Sequence, residues 1–204
     1  MAAGLEVFAT EGYANSSVRS ISEAASLNSR YFYESFGSRE DLLYEVYLRV
    51  LTEITTEATE ALRVAESIDG KARAGLRAGW TVLTEDPRKA RIVALEVIGV
   101  SERLEQLRRN MRHTLADLIV TQALSLADDV RLQIDPVLMA RSLMGGVAEI
   151  LGDWISGDIN QSVDEVVDHF TRLFTAATFA AVERPARTDA TRGSRRGARL
   201  DDFD

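Results

Sequence analysis

Apolar residues recur at spacings of three and four along nearly the whole chain, the period of helices with one buried face. No sustained apolar–polar alternation argues for strands, and only three prolines interrupt the 204 residues. The spacing predicts an all-α protein of about nine helices. A first runs from Ala2 to Glu11 and stops at Gly12, a second follows Ser17 over Val18 to Ala25, and a third spans Ser29 to Phe36. Ser38, with Asp41 three residues on, caps a long fourth helix whose stripe begins Leu43, Val46, Tyr47, Val50 and continues to Ala65. Asp69 opens a fifth. Asp86-Pro87 and Asp135-Pro136 each put an N-cap before a proline at the first helical position, and so open a sixth and an eighth. Ser101 opens the seventh, with a stripe from Leu104 through Met111 to Leu126, and Ser162 with Glu165 starts a ninth that runs to about Val182. Three short helices (1–46) thus precede six mostly longer ones (47–183). The tail, 184–204, has almost no large apolar residues and is expected to be disordered.

Composition narrows this little. A chain that is 46% hydrophobic and 27% charged can bury a core, and no apolar run approaches the roughly 20 residues that span a bilayer, so no membrane is expected. Disulfides and thiolate chemistry are excluded because there is no cysteine; a reducing cytoplasm is the expected compartment, and Met1–Tyr13 shows no export signal. The net charge of -8 hides a local question. Residues 1–49 hold four arginines (Arg19, Arg30, Arg39, Arg49) against seven acids, so nucleic acid binding there must rest on a patch of Arg19, Arg30 and Arg39.

The stretch "LNSRYFYESFGSRED", 27–41, is where that patch gains a shape. Phe32 and Phe36 are four apart and face inward with Leu27, Ile21 and Phe8. Arg30, Tyr31 and Tyr33 then point away from that core, with Asn28 and Ser29 at the helix start. Tyrosines and an arginine at an exposed helix N-terminus suit phosphates and base edges. Arg30 could equally be a solvated charge or pair with Glu34.

The segment "FATEGYANSSVRSISEAASLNSRYFYESFGSREDLL" resembles the DNA-binding domain of the TetR family of bacterial transcriptional regulators, a homeodomain-like helix-turn-helix. Matching positions include Phe8, Gly12, Tyr13, Ser17, Ile21, Ala25, Tyr33, Phe36 and Glu40, in one uninterrupted register. The resemblance implies that Ser17 caps the second helix and reaches a phosphate, that Asn28, Ser29, Arg30 and Tyr31 face base edges, and that Tyr33 and Arg39 contact the DNA backbone; Arg19 is a further candidate. Ser26 and Arg30 stand where the family pattern carries glycine. Ser26 must then adopt a turn conformation that glycine manages more easily, and Arg30 gains a reach suited to guanine.

The six later helices are expected to bind a ligand and to dimerise. Ala140, Leu143, Val147, Leu151 and Trp154 on the eighth, and Val166, Phe170, Leu173 and Phe174 on the ninth, form two apolar stripes. Paired across a two-fold axis they would make a four-helix interface, with Gly145-Gly146 letting a neighbouring backbone approach. The other reading is that they complete the core of one subunit. Trp80, Leu83, Val97, Met111, Leu115, Ile119 and Met144 either line a pocket for a small hydrophobic molecule or are plain core.

Catalytic chemistry finds no support: there is no phosphate loop, no nucleophile beside a base and no di-iron Glu-x-x-His pair. Glu165 and His169 are an i, i+4 pair without an evident third ligand, so no metal or cofactor is expected. The sequence therefore reads as a homodimeric DNA-binding regulator, a repressor released from a pseudo-palindromic operator by a hydrophobic ligand, in a bacterial cytoplasm. The alternative is a dimeric helical small-molecule-binding protein that kept the fold but not operator binding.

Overall fold

The computed structural model describes residues 1–125 and 134–181. The 184–204 tail, Leu126 and the end of the ninth helix at Val182 lie outside them. Within the described residues the fold is all-α: α1 (Ala2–Thr10), α2 (Val18–Ala24), α3 (Ser29–Ser35), α4 (Arg39–Val64), α5 (Ile68–Glu85), α6 (Pro87–Arg91), α7 (Glu102–Leu124), α8 (Pro136–Ser156) and α9 (Val163–Ala181). A π-helical turn over Ile92–Glu96 continues α6.

The caps explain the boundaries. Ser17 Oγ accepts the Ser20 N–H at the head of α2, Asn28 Oδ1 accepts the Arg30 N–H at the head of α3, and Ser38 Oγ accepts the Asp41 N–H at the head of α4. Asp86 and Asp135 cap α6 and α8 with proline at the first helical position. Ser162 and Glu165 cap each other at α9. One start differs from the expectation: Ser67, not Asp69, caps α5 by accepting the Gly70 N–H, and Asp69 lies inside the first turn, where its charge faces the positive end of the helix. Ser26 adopts the left-handed conformation expected of it, with φ +54°.

Two cores are strung on α4. Near its start, Leu42, Leu43, Val46 and Tyr47 pack with Phe8, Ile21 and Phe32 of the short helices and with Ile92, Val97 and Leu104. Further along, Val50 and Ile54 join Trp80 and Leu83 of α5, Leu143 and Leu151 of α8, and Phe170 and Phe174 of α9. A single helix thus belongs to both ends of the molecule. Polar ties reinforce the first junction. Ser101 donates to Glu40 Oε1 at 2.7 Å, Arg103 pairs with Asp41 at 2.6 Å, and the Arg103 guanidinium lies 4.0 Å above the Tyr44 ring.

Candidate nucleic-acid interface and ligand cavity

α3 is seven residues long and is held by one side chain. Phe32 is buried beneath it, stacked at a tilt on Phe36 at 5.7 Å and edge-on to Tyr33 at 5.4 Å. The rest of α3 faces outward, with Tyr31 55% and Tyr33 61% exposed. Phe36 is half-buried just past the helix. Leu27 departs from the inward position expected of it: it is 55% exposed, because the left-handed turn at Ser26 swings it out of the α2–α3 angle.

The four arginines fall into distinct states. Arg30 Nε donates to Glu34 Oε1 at 3.2 Å and Arg19 Nε to Glu23 Oε1 at 2.8 Å, both pairs lying on solvated helix faces. Such pairs stabilise little and open readily. Arg39 is half-buried. Its Nη1 donates to the carbonyls of Tyr13 and Ser16 and to Ser16 Oγ, and its guanidinium lies 4.9 Å from the Tyr13 ring centroid. Arg39 therefore fixes the turn that delivers Ser17 to the head of α2, with its charge only part-exposed. Arg49, on α4, borders a shallow surface depression with Met1 and Glu45.

A tie without any mark in the sequence joins this unit to the rest. Glu96, in the π-helical turn, accepts the Tyr13 backbone N–H through Oε2 at 2.8 Å and Arg91 Nε through Oε1 at 2.9 Å. Arg88 of α6 reaches back to Glu6 of α1 at 2.5 Å.

The second feature is a cavity of about 250 Å³ enclosed by α4, α5, α7, α8, α9 and the π-helical turn. Of the residues expected there, Trp80, Leu83, Met111, Leu115, Ile119 and Met144 line it. Val97 does not. It is fully buried in the other core, with Ile92 and Leu104, because the π-helical turn rotates the chain after α6. Additional lining residues went unread in the sequence: Tyr47, Leu51 and Ile54 from α4, Lys71 from α5, and Arg108, Arg112 and Gln122 from α7. The polar ones sit beside apolar stripe positions, Arg112 next to Met111, and that adjacency was the available signal.

The expected interface residues divide. Ala140, Leu143, Leu151, Val166, Phe170 and Phe174 are buried within the single subunit, so they build its core and are not open to a partner. Trp154 is half-buried, edge-on to Trp80 at 5.7 Å, with its Nε1 donating to the Gln161 carbonyl. Val147 is half-buried, and Leu173 is 43% exposed. Gly146 faces the Phe170 ring, not a backbone, whereas Gly145 and Gly152 open onto free space. Outward residues of α8 are Leu138, Arg141, Ser142, Gly145, Glu149 and Ser156. Glu165, the possible metal ligand, is occupied by Ser162.

Residues 1–46 match the model of the bacterial regulatory proteins of the tetR family. No curated protein matches the chain. Among solved structures, the fatty acid degradation regulator FadR from Bacillus halodurans superposes with a TM-score of 0.73 at 18% identity, over 85% of this chain and 94% of its own. FadR from Bacillus subtilis, solved with stearoyl-CoA, gives 0.75 at 18% identity over 86% and 96%. The TetR family transcriptional regulator PfmR from Thermus thermophilus gives 0.63 at 21% identity over 83% and 93%. The chain thus carries at its head, over residues 1–46, the domain of the tetR family of bacterial regulatory proteins, and its described residues share the all-helical fold of these regulators.

Proposed function

We propose that the protein is a homodimeric repressor that binds a pseudo-palindromic operator through α3 and releases it when a hydrophobic ligand enters the cavity. The observation that carries this is the outward face of α3. Two tyrosines more than half exposed and a solvated arginine stand on a helix pinned by a single buried phenylalanine. An isolated surface of that composition has no use within the subunit, and it suits base edges and phosphates. In the complex Asn28, Ser29, Arg30 and Tyr31 face the bases. Ser17 and Tyr33 hold the backbone, Arg19 adds a charge, and Arg39 supports the Ser17 turn while offering its exposed edge to a phosphate. The domain boundary that accompanies this reading lies near residue 46, within α4, and the ligand-binding and dimerising part extends to 183.

Two copies are needed because one short helix reads too few base pairs; a two-fold pair reads half-sites about 34 Å apart. The subunit surface that fits a partner is the outer face of α8 at Leu138, Ser142 and Gly145, together with Leu173 of α9. Support for a lipid-like ligand is the mostly apolar lining of the cavity, and the similarly folded FadR of Bacillus subtilis was solved in complex with stearoyl-CoA. Release follows because the cavity wall is also the mount of the DNA-binding unit. Tyr47, Leu51 and Ile54 lie on α4, and Val93 and Ala94 precede Glu96 in the π-helical turn.

The test is selection of operator sequences from random duplex DNA by the full chain, followed by titration at two salt concentrations. The reading expects a palindromic site whose affinity falls with salt, and an Arg30→Ala variant with relaxed preference at one position per half-site. No enrichment would instead favour a helical small-molecule-binding protein that has kept only the fold.

A further inference from the structure

The cavity is not uniformly apolar. Its lining follows α7 from Arg108 to Gln122, about 21 Å at 1.5 Å per residue, so a volume of about 250 Å³ is spread along a narrow space. Leu51, Ile54, Ala58, Leu76 and Leu115 form its middle.

At one end three polar side chains come together. Arg108 is neutralised, its Nε and Nη2 both donating to Glu105 Oε2 at 2.9 and 2.7 Å. Arg112, one helical turn on, is half-buried and has neither an acidic nor a hydrogen-bonding partner among the described residues. Tyr47 is only 2% exposed, and its hydroxyl makes no hydrogen bond among the described residues. Burial pushes this phenol up to about 12 while the charges of Arg108 and Arg112 oppose the rise, so the hydroxyl lies within the field of both guanidinium groups. It stays protonated near neutral pH and can donate.

The Tyr47 hydroxyl and the half-buried Arg112 both line this space without a protein partner; the hydroxyl suits an acceptor and the guanidinium a negative charge, and one anion supplies both. An uncharged ligand would leave Arg112 unpaired against hydrocarbon. The other end holds a single cation, Lys71, whose Nζ donates to the neutral Gln122 Oε1 at 2.7 Å, and it offers no second free donor beside it, because the Thr178 hydroxyl donates to the Phe174 carbonyl. Resting on the reading of the cavity as the ligand site, we propose that it takes an anionic amphiphile, with the negative head between Arg112 and the Tyr47 hydroxyl and a single hydrocarbon chain running along α7 towards Lys71.

The head can be the carboxylate of a free fatty acid or the phosphates of an acyl thioester of coenzyme A. Calorimetric titration of the full chain with decanoate, decanoyl-coenzyme A and decanol separates these sources from each other and from a purely apolar ligand. At least one anion is expected to bind tenfold or more tighter than decanol. Within its series, affinity is expected to rise about fourfold per added methylene until the cavity is full. Arg112→Gln should abolish the preference for the anion while leaving decanol binding and thermal melting unchanged. Tyr47→Phe should weaken it less, and Lys71→Gln should leave it intact. Equal binding of decanol and both anions, or a preference that survives Arg112→Gln or disappears with Lys71→Gln, overturns the head-group assignment and leaves the ligand cavity standing. If none of the three binds, the cavity reading falls with it.

Discussion

The Glu96 carboxylate holds the backbone N–H of Tyr13, 83 positions earlier in the chain, at 2.8 Å. It joins the wall of the cavity to the turn before α2. The same turn is gripped from the other side by Arg39, so α2 and α3 hang between an acid from the π-helical turn and a base from the head of α4. A shift of either mount is expected to carry α3 with it.

Glu96→Ala removes the acceptor and leaves the Tyr13 N–H part-buried. Stability should fall by about 1–3 kcal/mol in chemical denaturation, the ordinary cost of orphaning such a group. Glu96→Gln, which keeps a carbonyl oxygen, should recover much of it. Of the two, Glu96→Ala should show the smaller change in operator affinity when ligand is added.

Arg39→Ala is expected to act on folding as well as on DNA. The hydrogen bonds of Nη1 to the Tyr13 and Ser16 carbonyls and to Ser16 Oγ are lost, at about 1.5–3 kcal/mol for a charge-assisted bond of this kind, and Lys at the same position lacks the planar guanidinium that lies over the Tyr13 ring. The midpoint of urea unfolding checks this. An Arg39→Ala protein with unaltered stability and weakened binding would make the residue a phosphate contact alone.

On α3, Arg30→Ala should cost about 1–3 kcal/mol at one base position, whereas Tyr33→Phe should weaken all sequences evenly. Glu34→Gln should have the reverse effect on non-specific DNA. It frees Arg30 from its solvated pair and removes a like charge from the phosphates, so affinity for random duplex should rise. Electrophoretic mobility shifts with specific and random duplexes at two salt concentrations separate the three.

Phe32→Ala removes the one buried anchor of α3, at about 3–5 kcal/mol for a phenylalanine in a packed core. DNA binding should be lost while ligand binding in the cavity, which Phe32 does not line, persists, as read by calorimetry on the same sample.

Much of this was legible in the sequence, and the limits have physical causes. Helix starts could be read because caps are local chemistry: Ser17, Ser38, Asp86 and Asp135 act within three residues of themselves. Asp69 misled because Ser67 stood two residues earlier with an equally good oxygen. The outward face of α3 could be read from the four-residue spacing of Phe32 and Phe36. The Glu96–Tyr13 tie could not, since it depends on a π-helical turn that no local pattern announced. An apolar stripe likewise does not say which neighbour covers it. Phe170 and Phe174 on α9 turned out to face their own subunit, and the surface left for a partner is the less apolar side with Leu173 and Gly145.

If that side is the dimer surface, Leu173→Asp should shift sedimentation towards the monomer and reduce operator affinity, with helix content unchanged. Phe170→Ala should instead destabilise the subunit by about 3–5 kcal/mol, since its ring is already buried there.

One small molecule in the cavity is expected to control the grip of α3 on DNA. The most direct measurement of this control is the fluorescence anisotropy of a labelled operator bound by the full chain and titrated with a cavity-filling ligand. Operator affinity is expected to fall tenfold or more, saturating with occupancy of the cavity, and to fall much less in Glu96→Ala. A ligand that fills the cavity, by calorimetry on the same protein, and leaves operator affinity unchanged would contradict this expectation.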